Sequence, residues 1–234
     1  YENAITILKN DNKILPLQCI DTLRVASVSI GTGQLTEFQQ ALSRFTDVAH
    51  FTLHRDSVFL PMKKLQDTLM YYNLVVISIH RTSDLPKFNY GIRKQTVDLI
   101  NVLKKNNRVV LDVFGSPYAL SLFNSLEGVD AVVLSYEDDV FSHRKSASVI
   151  FGENAAKGRL PVTASSVFPI NTGLQTSMLN RLAWVEGTDW VVNKEKLHAI
   201  DSLAIVGIHE KAYPGCAILA AKEGRIFYHK TFGY

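Results

Sequence analysis

Two polar segments of the sequence carry residue types that can contact a ligand. Glu137-Asp138-Asp139 follows an apolar segment, and carboxylates there could bind sugar hydroxyls or act in glycoside hydrolysis. The same run also suits the start of a helix, where acidic side chains are favoured. His80-Arg81-Thr82-Ser83-Asp84 either reaches a ligand or forms a solvated loop. Arg81, Asp84 and Glu137 are therefore the candidate substrate-binding residues.

Three other patterns with catalytic or metal-binding precedent fit structural roles better. Ser116 lacks the glycine two residues later that a nucleophile elbow requires, and with Pro117 it fits a helix start. Ser142-His143-Arg144-Lys145 matches S-x-x-K without the companion Ser-Asp-Asn and Lys-Thr-Gly motifs. His50 and His54 would lie about 13 Å apart on a strand, too far for one metal ion. We expect no catalytic residue, metal site or cofactor, with a hydrolase that uses Ser116 or Ser142 as an alternative.

Composition excludes two classes of partner. The 234 residues carry a net charge of only +3 and no basic stripe interleaved with aromatic residues, so we expect no nucleic acid. No apolar run approaches the roughly 18 residues of a membrane span.

Cys19 and Cys216 form no C-x-x-C pair, and we expect two buried thiols rather than a disulfide.

The elements that position these residues follow from the hydrophobic periodicity. Apolar runs typical of buried strands alternate with segments whose apolar residues recur at helical spacing. Strands are predicted at 23–30, 48–53, 74–79, 109–114 and 131–134, with helices between them and over 138–151. The fold class is therefore α/β, a mostly parallel sheet with helices on both faces. The carboxyl ends of its strands, near Gly31, His54, His80, Gly115 and Ser135, are where such sheets build sites.

Several segments are not covered by this pattern. Glu2 to Lys9 has helical spacing. Gly31-Thr32-Gly33 fits a strand-to-helix turn capped by Thr36 rather than a dinucleotide loop. Residues 166–193 are predicted to be a linker. Beyond them, a helix at 194–209 and a hairpin of 216–221 with 225–231 are too small to fold alone, which indicates an incomplete second domain.

Two stretches resemble the borders of one known domain. Ala4-Ile5-Thr6-Ile7-Leu8-Lys9-Asn10-Asp11 with Leu15-Pro16-Leu17 resembles the entry to the C-terminal domain of family 3 glycoside hydrolases. Ala147-Ser148-Val149-Ile150-Phe151-Gly152 with Gly158-Arg159-Leu160-Pro161-Val162-Thr163 resembles its exit. The resemblance implies that residues 1–165 are this α/β domain and that a (β/α)8 barrel of the same parent chain is its partner.

The resemblance also implies which part of the parent protein carries the catalytic residues. The nucleophilic Asp of the family belongs to the barrel, and the glucosidase-like branch adds an acid/base Glu from a loop of this domain. The loop aligned with it, His80 to Asp84, contains no Glu, and Tyr136 to Phe141 replaces the expected sugar-site motif. Both departures favour the β-N-acetylhexosaminidase branch, whose substrates are amino-sugar glycosides, and imply that this chain is inactive alone.

The tail resembles a second family. Leu197 to Ala217, Lys222-Glu223-Gly224-Arg225-Ile226 and Phe232-Gly233-Tyr234 are similar to the opening of class C β-lactamase-like serine hydrolases. This implies that 194–234 is the truncated start of such a domain, whose S-x-x-K serine follows the hairpin. We expect a bacterial, extracytoplasmic parent, periplasmic or on the cell surface. The alternative is a stand-alone carbohydrate-binding or interaction module that uses Trp184 and Trp190 as aromatic platforms.

Overall fold

The computed structural model describes residues 3–56, 62–123, 125–179, 183–184, 194–222 and 225–233. The chain divides into two compact units, Tyr1–Leu179 and Asn180–Tyr234. The division falls within the segment that the sequence predicts as a linker. The domain boundaries 1–165, 166–193 and 194–234 stay predictions.

The first unit is built on a six-stranded sheet. Its strands are β1 Thr6–Asn10, β2 Val25–Gly31, β3 Val48–His54, β4 Leu74–Ile79, β5 Val109–Val113 and β6 Ala131–Leu134. The spatial order is β1-β6-β5-β4-β2-β3, with β1 antiparallel to β6 and all other neighbours parallel. The α/β fold class is thereby confirmed.

Helices cover both faces of this sheet. They are α1 Glu37–Leu42, α2 Met62–Leu69, α3 Lys94–Leu103 and α4 Val140–Ile150. Successive strand residues point to opposite faces, so alternate side chains enter separate cores. Val28 and Ile77 pack in the core that α2 and α3 cover, whereas Val76 and Val110 pack in the core of α1 and α4. The predicted cap is confirmed, because the Thr36 hydroxyl accepts a hydrogen bond from the Gln39 amide at the start of α1.

Two expectations about the first unit were wrong. The segment predicted as a helix at Glu2 to Lys9 is strand β1, in which Thr6 pairs with Leu134 of β6. Ile5, Thr6 and Ile7 are all buried, and pairing at the sheet edge overrides the local helical spacing. Cys19 is exposed rather than buried.

The second unit contains a helix and a small sheet. Its elements are β7 Ala183–Trp184, α5 Lys194–His209, β8 Gly215–Lys222 and β9 Arg225–Gly233. The sheet order is β7-β9-β8, and β8 and β9 form an antiparallel hairpin. The predicted helix and hairpin are confirmed. Within the described residues, no helix has the length and apolar character needed to cross a membrane.

Candidate functional site: a polar cluster at the carboxyl edge of the sheet

A row of polar residues crosses the sheet near the carboxyl ends of its central strands. Ser29 of β2 pairs in register with Ser78 of β4, and Ser78 pairs with Asp112 of β5. By strand alternation these side chains share the face on which Val76 and Val110 lie, beneath α1 and α4. The core therefore becomes polar on this face, close to the loops that follow the strands.

His80 extends this row beyond the end of β4. Its Nδ1 lies 2.8 Å from Oδ1 of Asp138, and its Nε2 lies 2.9 Å from the hydroxyl of Ser78. The imidazole is buried, and the Phe114 ring stacks on it with centroids 4.8 Å apart. The ring plane and both nitrogens of His80 are thus fixed by neighbouring groups.

His143 approaches the same carboxylate from the first turn of α4. Its Nε2 lies 2.7 Å from Asp138 Oδ1, the oxygen that His80 also contacts. Asp139 caps the helix by accepting a hydrogen bond of 2.7 Å from the Ser142 amide, which sets the position of the turn. The capping interpretation of the acidic run is confirmed for Asp139. We refer to His80, Asp138 and His143 as the His–Asp–His cluster.

The charge state of the cluster follows from its contacts. Burial lowers the pKa of His80, and the Asp138 carboxylate opposes that shift. Burial of Asp138 disfavours its ionisation, but hydrogen bonds from His143, His80 and the Arg81 amide together hold its pKa well below the usual range. Asp138 is therefore a carboxylate at neutral pH, surrounded by three donors.

A second carboxyl group lies deeper beneath α4. The Asp112 side chain is fully buried, and burial raises its pKa to about 7. The hydroxyls of Ser146 and Ser135 donate to it, the latter at 2.8 Å, and His143 interacts with it electrostatically. These contacts only partly offset desolvation, so Asp112 changes its protonation state near neutral pH.

Three buried polar atoms near these carboxyls have no hydrogen-bond partner among the described residues. They are Ser29 Oγ, Ser142 Oγ and His143 Nδ1. Ser142, the serine of the S-x-x-K pattern, is only 1% exposed, which disfavours it as a nucleophile. Ser116 precedes a 3-10 turn at Pro117–Leu122, as expected for a helix start with Pro117 in first position.

The three residues selected from sequence lie around the cluster rather than inside it. The side chains of Arg81, Asp84 and Glu137 are exposed in the loops after β4 and β6. Arg81 has a φ of +51°, and its backbone amide donates to Asp138 Oδ2 at 2.7 Å. Their contact with a sugar stays a prediction.

Sequence reasoning missed His80, Asp138 and His143 as a group, and Asp112. The sequence of strands β4 and β5 does contain one signal of the cluster. Ser78 and His80 are alternate polar residues at the end of an apolar strand, and Asp112 interrupts the apolar run of β5. Such polar positions in a strand buried on both faces require partners, and so indicate a polar cluster.

An open cleft lies in the neighbouring loops. It has a volume of about 590 Å³. Its walls come from the loops after β3 and β4 and from the start of α3, and consist of Arg55, Ser83, Phe88, Asn89, Gly91, Ile92, Arg93, Lys94 and Gln95. The Arg93 guanidinium forms an ion pair with Asp56. An aromatic ring beside cationic and amide groups suits a polar ligand, including a sugar.

The cluster has the donors of a metal site. His80 Nδ1, His143 Nε2 and a carboxylate oxygen of Asp138 all lie within 4.8 Å of one another. Two imidazole nitrogens and one carboxylate oxygen are a donor set that divalent transition metals accept.

Known structures resemble this fold, although no protein-family model and no curated protein matches the sequence. A glycoside hydrolase family 3 β-N-acetylglucosaminidase from Paenibacillus sp. FPU-7 matches with a TM-score of 0.53 and 18% identity, over 73% of this chain and 31% of that one. A fungal multi-domain family 3 β-N-acetylglucosaminidase with a GCN5-related glucosamine N-acetyltransferase region matches with a TM-score of 0.55 and 18% identity, over 99% of this chain and 27% of that one. A β-glucosidase from Erythrobacter marinus matches with a TM-score of 0.54 and 12% identity, over 73% of this chain and 33% of that one.

At these identities the likeness establishes the fold alone, which is like that of family 3 glycoside hydrolase chains. The chain spans about a third or less of each of the three proteins. The resemblance of residues 194–234 to β-lactamase-like hydrolases stays a prediction.

Proposed function

We propose that this chain is the accessory α/β domain of a larger family 3 glycoside hydrolase of the β-N-acetylhexosaminidase type. The domain packs on a (β/α)8 barrel of the same parent chain and frames the mouth of its amino-sugar site. The barrel supplies the nucleophile, and the glycoside is cleaved with retention through a covalent glycosyl intermediate. Alone, the chain is inactive.

The observation that carries the proposal is a set of exposed apolar side chains after the strands, at the carboxyl edge of the sheet. Large apolar side chains that are 45% to 60% exposed follow four of the strands: Leu35, Leu85, Phe88, Tyr118 and Phe141. Exposed apolar side chains carried by loops that follow neighbouring strands suit contact with another protein surface. The same edge is where α/β domains contribute to ligand sites.

The finer parts of the proposal rest on the loops of this edge and on the tail. Arg81, Asp84 and Glu137 project from the loops as contacts for the amino-sugar glycan. The helix and hairpin of the second unit are the start of a β-lactamase-like serine hydrolase domain. The parent protein acts outside the cytoplasm, where glycans of the cell wall are accessible.

Hydrolysis of p-nitrophenyl N-acetyl-β-glucosaminide tests the proposal. The 234-residue chain should release no nitrophenol, whereas the full-length parent should be active. In the parent, Tyr118→Ser should reduce kcat/KM about tenfold or more, because it weakens the packing of the carboxyl edge on the barrel.

Tyr71 provides the matched control. It is 71% exposed, but it lies between α2 and β4, at the opposite edge of the sheet. Tyr71→Ser should leave kcat/KM unchanged. Turnover by the isolated chain would refute its accessory role, and equal effects of the two tyrosine substitutions would refute docking through the carboxyl edge.

The cleft beside Phe88 favours a second candidate function, a stand-alone carbohydrate-binding module. The sequence-based hypothesis that such a module binds sugars on Trp184 and Trp190 is not tested by the structure, because both side chains lie outside its described part. Calorimetric titration of the isolated chain with N,N′-diacetylchitobiose separates the candidates. Binding that Phe88→Ala abolishes and Tyr118→Ala preserves would favour the module, whereas absence of binding would favour the accessory domain.

A further inference from the structure

We propose that His80, Asp138 and His143 bind a divalent transition metal ion, and that Zn²⁺ is the ion their donor set fits best. The inference does not depend on the barrel partner, because all three ligands belong to the first unit. It goes against the sequence-based expectation of no metal site. Three protein ligands would leave a fourth tetrahedral position open to water or to a ligand group.

The two separations between the histidine nitrogens and Asp138 are close to those of a zinc site, and the two nitrogens lie within 4.8 Å of each other. His80 Nδ1 and His143 Nε2 lie 2.8 Å and 2.7 Å from the same oxygen of Asp138. At Zn–ligand distances of about 2.0 to 2.1 Å, tetrahedral donors stand roughly 3.3 Å apart. Each separation therefore has to increase by about 0.5 Å. Asp138 can supply this movement, because its side chain is 28% exposed and it lies in the loop before α4.

Outer contacts orient the first two ligands as metal sites require. The Ser78 hydroxyl lies 2.9 Å from His80 Nε2, which leaves Nδ1 to face the carboxylate. The Arg81 amide donates to Oδ2 of Asp138, which leaves Oδ1 directed at the histidines. Partners of this kind fix the tautomer and the orientation of metal ligands.

The orphan nitrogen of His143 is the second observation that points to a cation. If Nε2 carried the only proton, Nδ1 would be a buried acceptor with no partner among the described residues, which is unfavourable. No neighbouring group among the described residues bonds to Nδ1, so none holds the imidazole proton on Nε2 when a cation competes for that nitrogen. In the metal-free chain Nε2 donates to Asp138, whereas on metal binding the proton moves to Nδ1 or to solvent and Nε2 and the Asp138 oxygen both face the cation.

Zinc titration of the chelator-treated 234-residue chain tests this site. Calorimetry should show one Zn²⁺ per chain, and Co²⁺ should give the intense visible absorption of tetrahedral coordination. Asp138→Asn and His143→Gln should each weaken Zn²⁺ binding by more than tenfold. Ser78→Ala, which removes only an outer contact, should weaken binding about tenfold.

A surface histidine near the same edge provides the control. His54 Nδ1 lies 3.7 Å from an oxygen of Asp56, and both side chains are about half exposed. His54→Ala should leave the stoichiometry and affinity unchanged. Circular dichroism verifies that each variant is folded.

Either of two results would overturn the proposal. One is that the chelator-treated chain binds no stoichiometric Zn²⁺, in which case protons alone hold the cluster together. The other is that folded His143→Gln binds Zn²⁺ as tightly as the unsubstituted chain, in which case the ion lies elsewhere.

Discussion

Asp112 and Asp138 both interact with His143, and the fold shifts the pKa values of their carboxyl groups in opposite directions. Asp112 belongs to β5 and is fully buried, with two neutral serine hydroxyls and the Val113 amide as donors. Asp138 follows β6, is partly exposed, and accepts from two imidazoles and a backbone amide. Burial raises the pKa of the first to about 7, while hydrogen bonds outweigh burial and lower the pKa of the second.

The difference shows that hydrogen bonding alone does not keep a buried carboxylate charged. Asp112 accepts from two serine hydroxyls and a backbone amide, and His143 interacts with it favourably, but these contacts together do not offset its complete desolvation. At Asp138 solvent access adds to three donors. A carboxyl group that titrates near neutral pH beneath a loop-lined edge is typical of functional sites.

The largest expected effect comes from Asp112→Asn. The folded-state pKa of Asp112, about 7, lies above its unfolded value of 3.8, so the folded state binds more protons between these values. Stability therefore falls as pH rises from about 4 to about 7, and stays reduced above that. The asparagine variant should lack this decline, and should exceed the unsubstituted chain by a few kcal/mol at about pH 8. Urea unfolding of chelator-treated protein across this range measures the difference.

Asp130→Asn is the control for this prediction. The Asp130 carboxylate accepts a hydrogen bond of 2.7 Å from the Val109 amide at the start of β5. The substitution therefore removes a carboxyl group that lies near the end of β5 opposite to Asp112. The variant should keep the decline of stability with pH. If Asp112→Asn shows the same decline as Asp130→Asn, Asp112 does not titrate as its burial implies.

The second prediction concerns Asp138→Asn and has the opposite sign. Because the folded-state pKa of Asp138 is lowered, its contribution is present above the unfolded value near 4 and is lost as pH falls through the folded value. The variant should be about 2 kcal/mol less stable at neutral pH, since an amide cannot accept from both imidazoles as a carboxylate does. That deficit should shrink in acid. Made in the Asp112→Asn background, the comparison isolates this slope, and a deficit independent of pH would contradict it.

Sequence patterns were sufficient for the local parts of this site. The alternation of β4 and β5, the cap at Thr36 and the helix that begins after the acidic run all follow from the neighbouring residues. The cluster itself does not, because His80 and Asp138 are 58 positions apart. They meet only because β5 lies between β4 and β6 in the sheet, which brings the loops that follow these strands together.

The misassigned first strand has the same kind of cause. Residues around Ile5 have an apolar spacing that fits a helix, and the partner that makes them a strand is β6, far along the chain. Leu174 covers the other side, since its amide donates to the Ile7 carbonyl at 2.8 Å. Neither neighbour can be identified from the residues around Ile5.

The third prediction extends the comparison to the next carboxylate. Asp139 accepts from the Ser142 amide as the cap of α4, so Asp139→Ala should reduce stability by about 1 kcal/mol. Asp139→Ser retains a capping oxygen and should recover most of the loss. Thermal unfolding of the two variants provides the measurement. Equal losses would mean that the charge of Asp139, rather than its cap, is what stabilises the helix start.

The smallest effect is expected one position earlier, at Glu137. Its side chain is exposed, and its backbone amide donates to the Ser135 carbonyl at 2.7 Å. Glu137→Ala should therefore change the free energy of unfolding by less than about 0.5 kcal/mol and leave Zn²⁺ binding by the chain unaltered. If Glu137 contacts the amino sugar, the same substitution in the full-length parent should raise KM with little change in kcat. A loss of stability or of Zn²⁺ binding comparable to that of Asp138→Asn would contradict this prediction. It would mean that Glu137 and Asp138 act together, although only Asp138 contacts the two histidines.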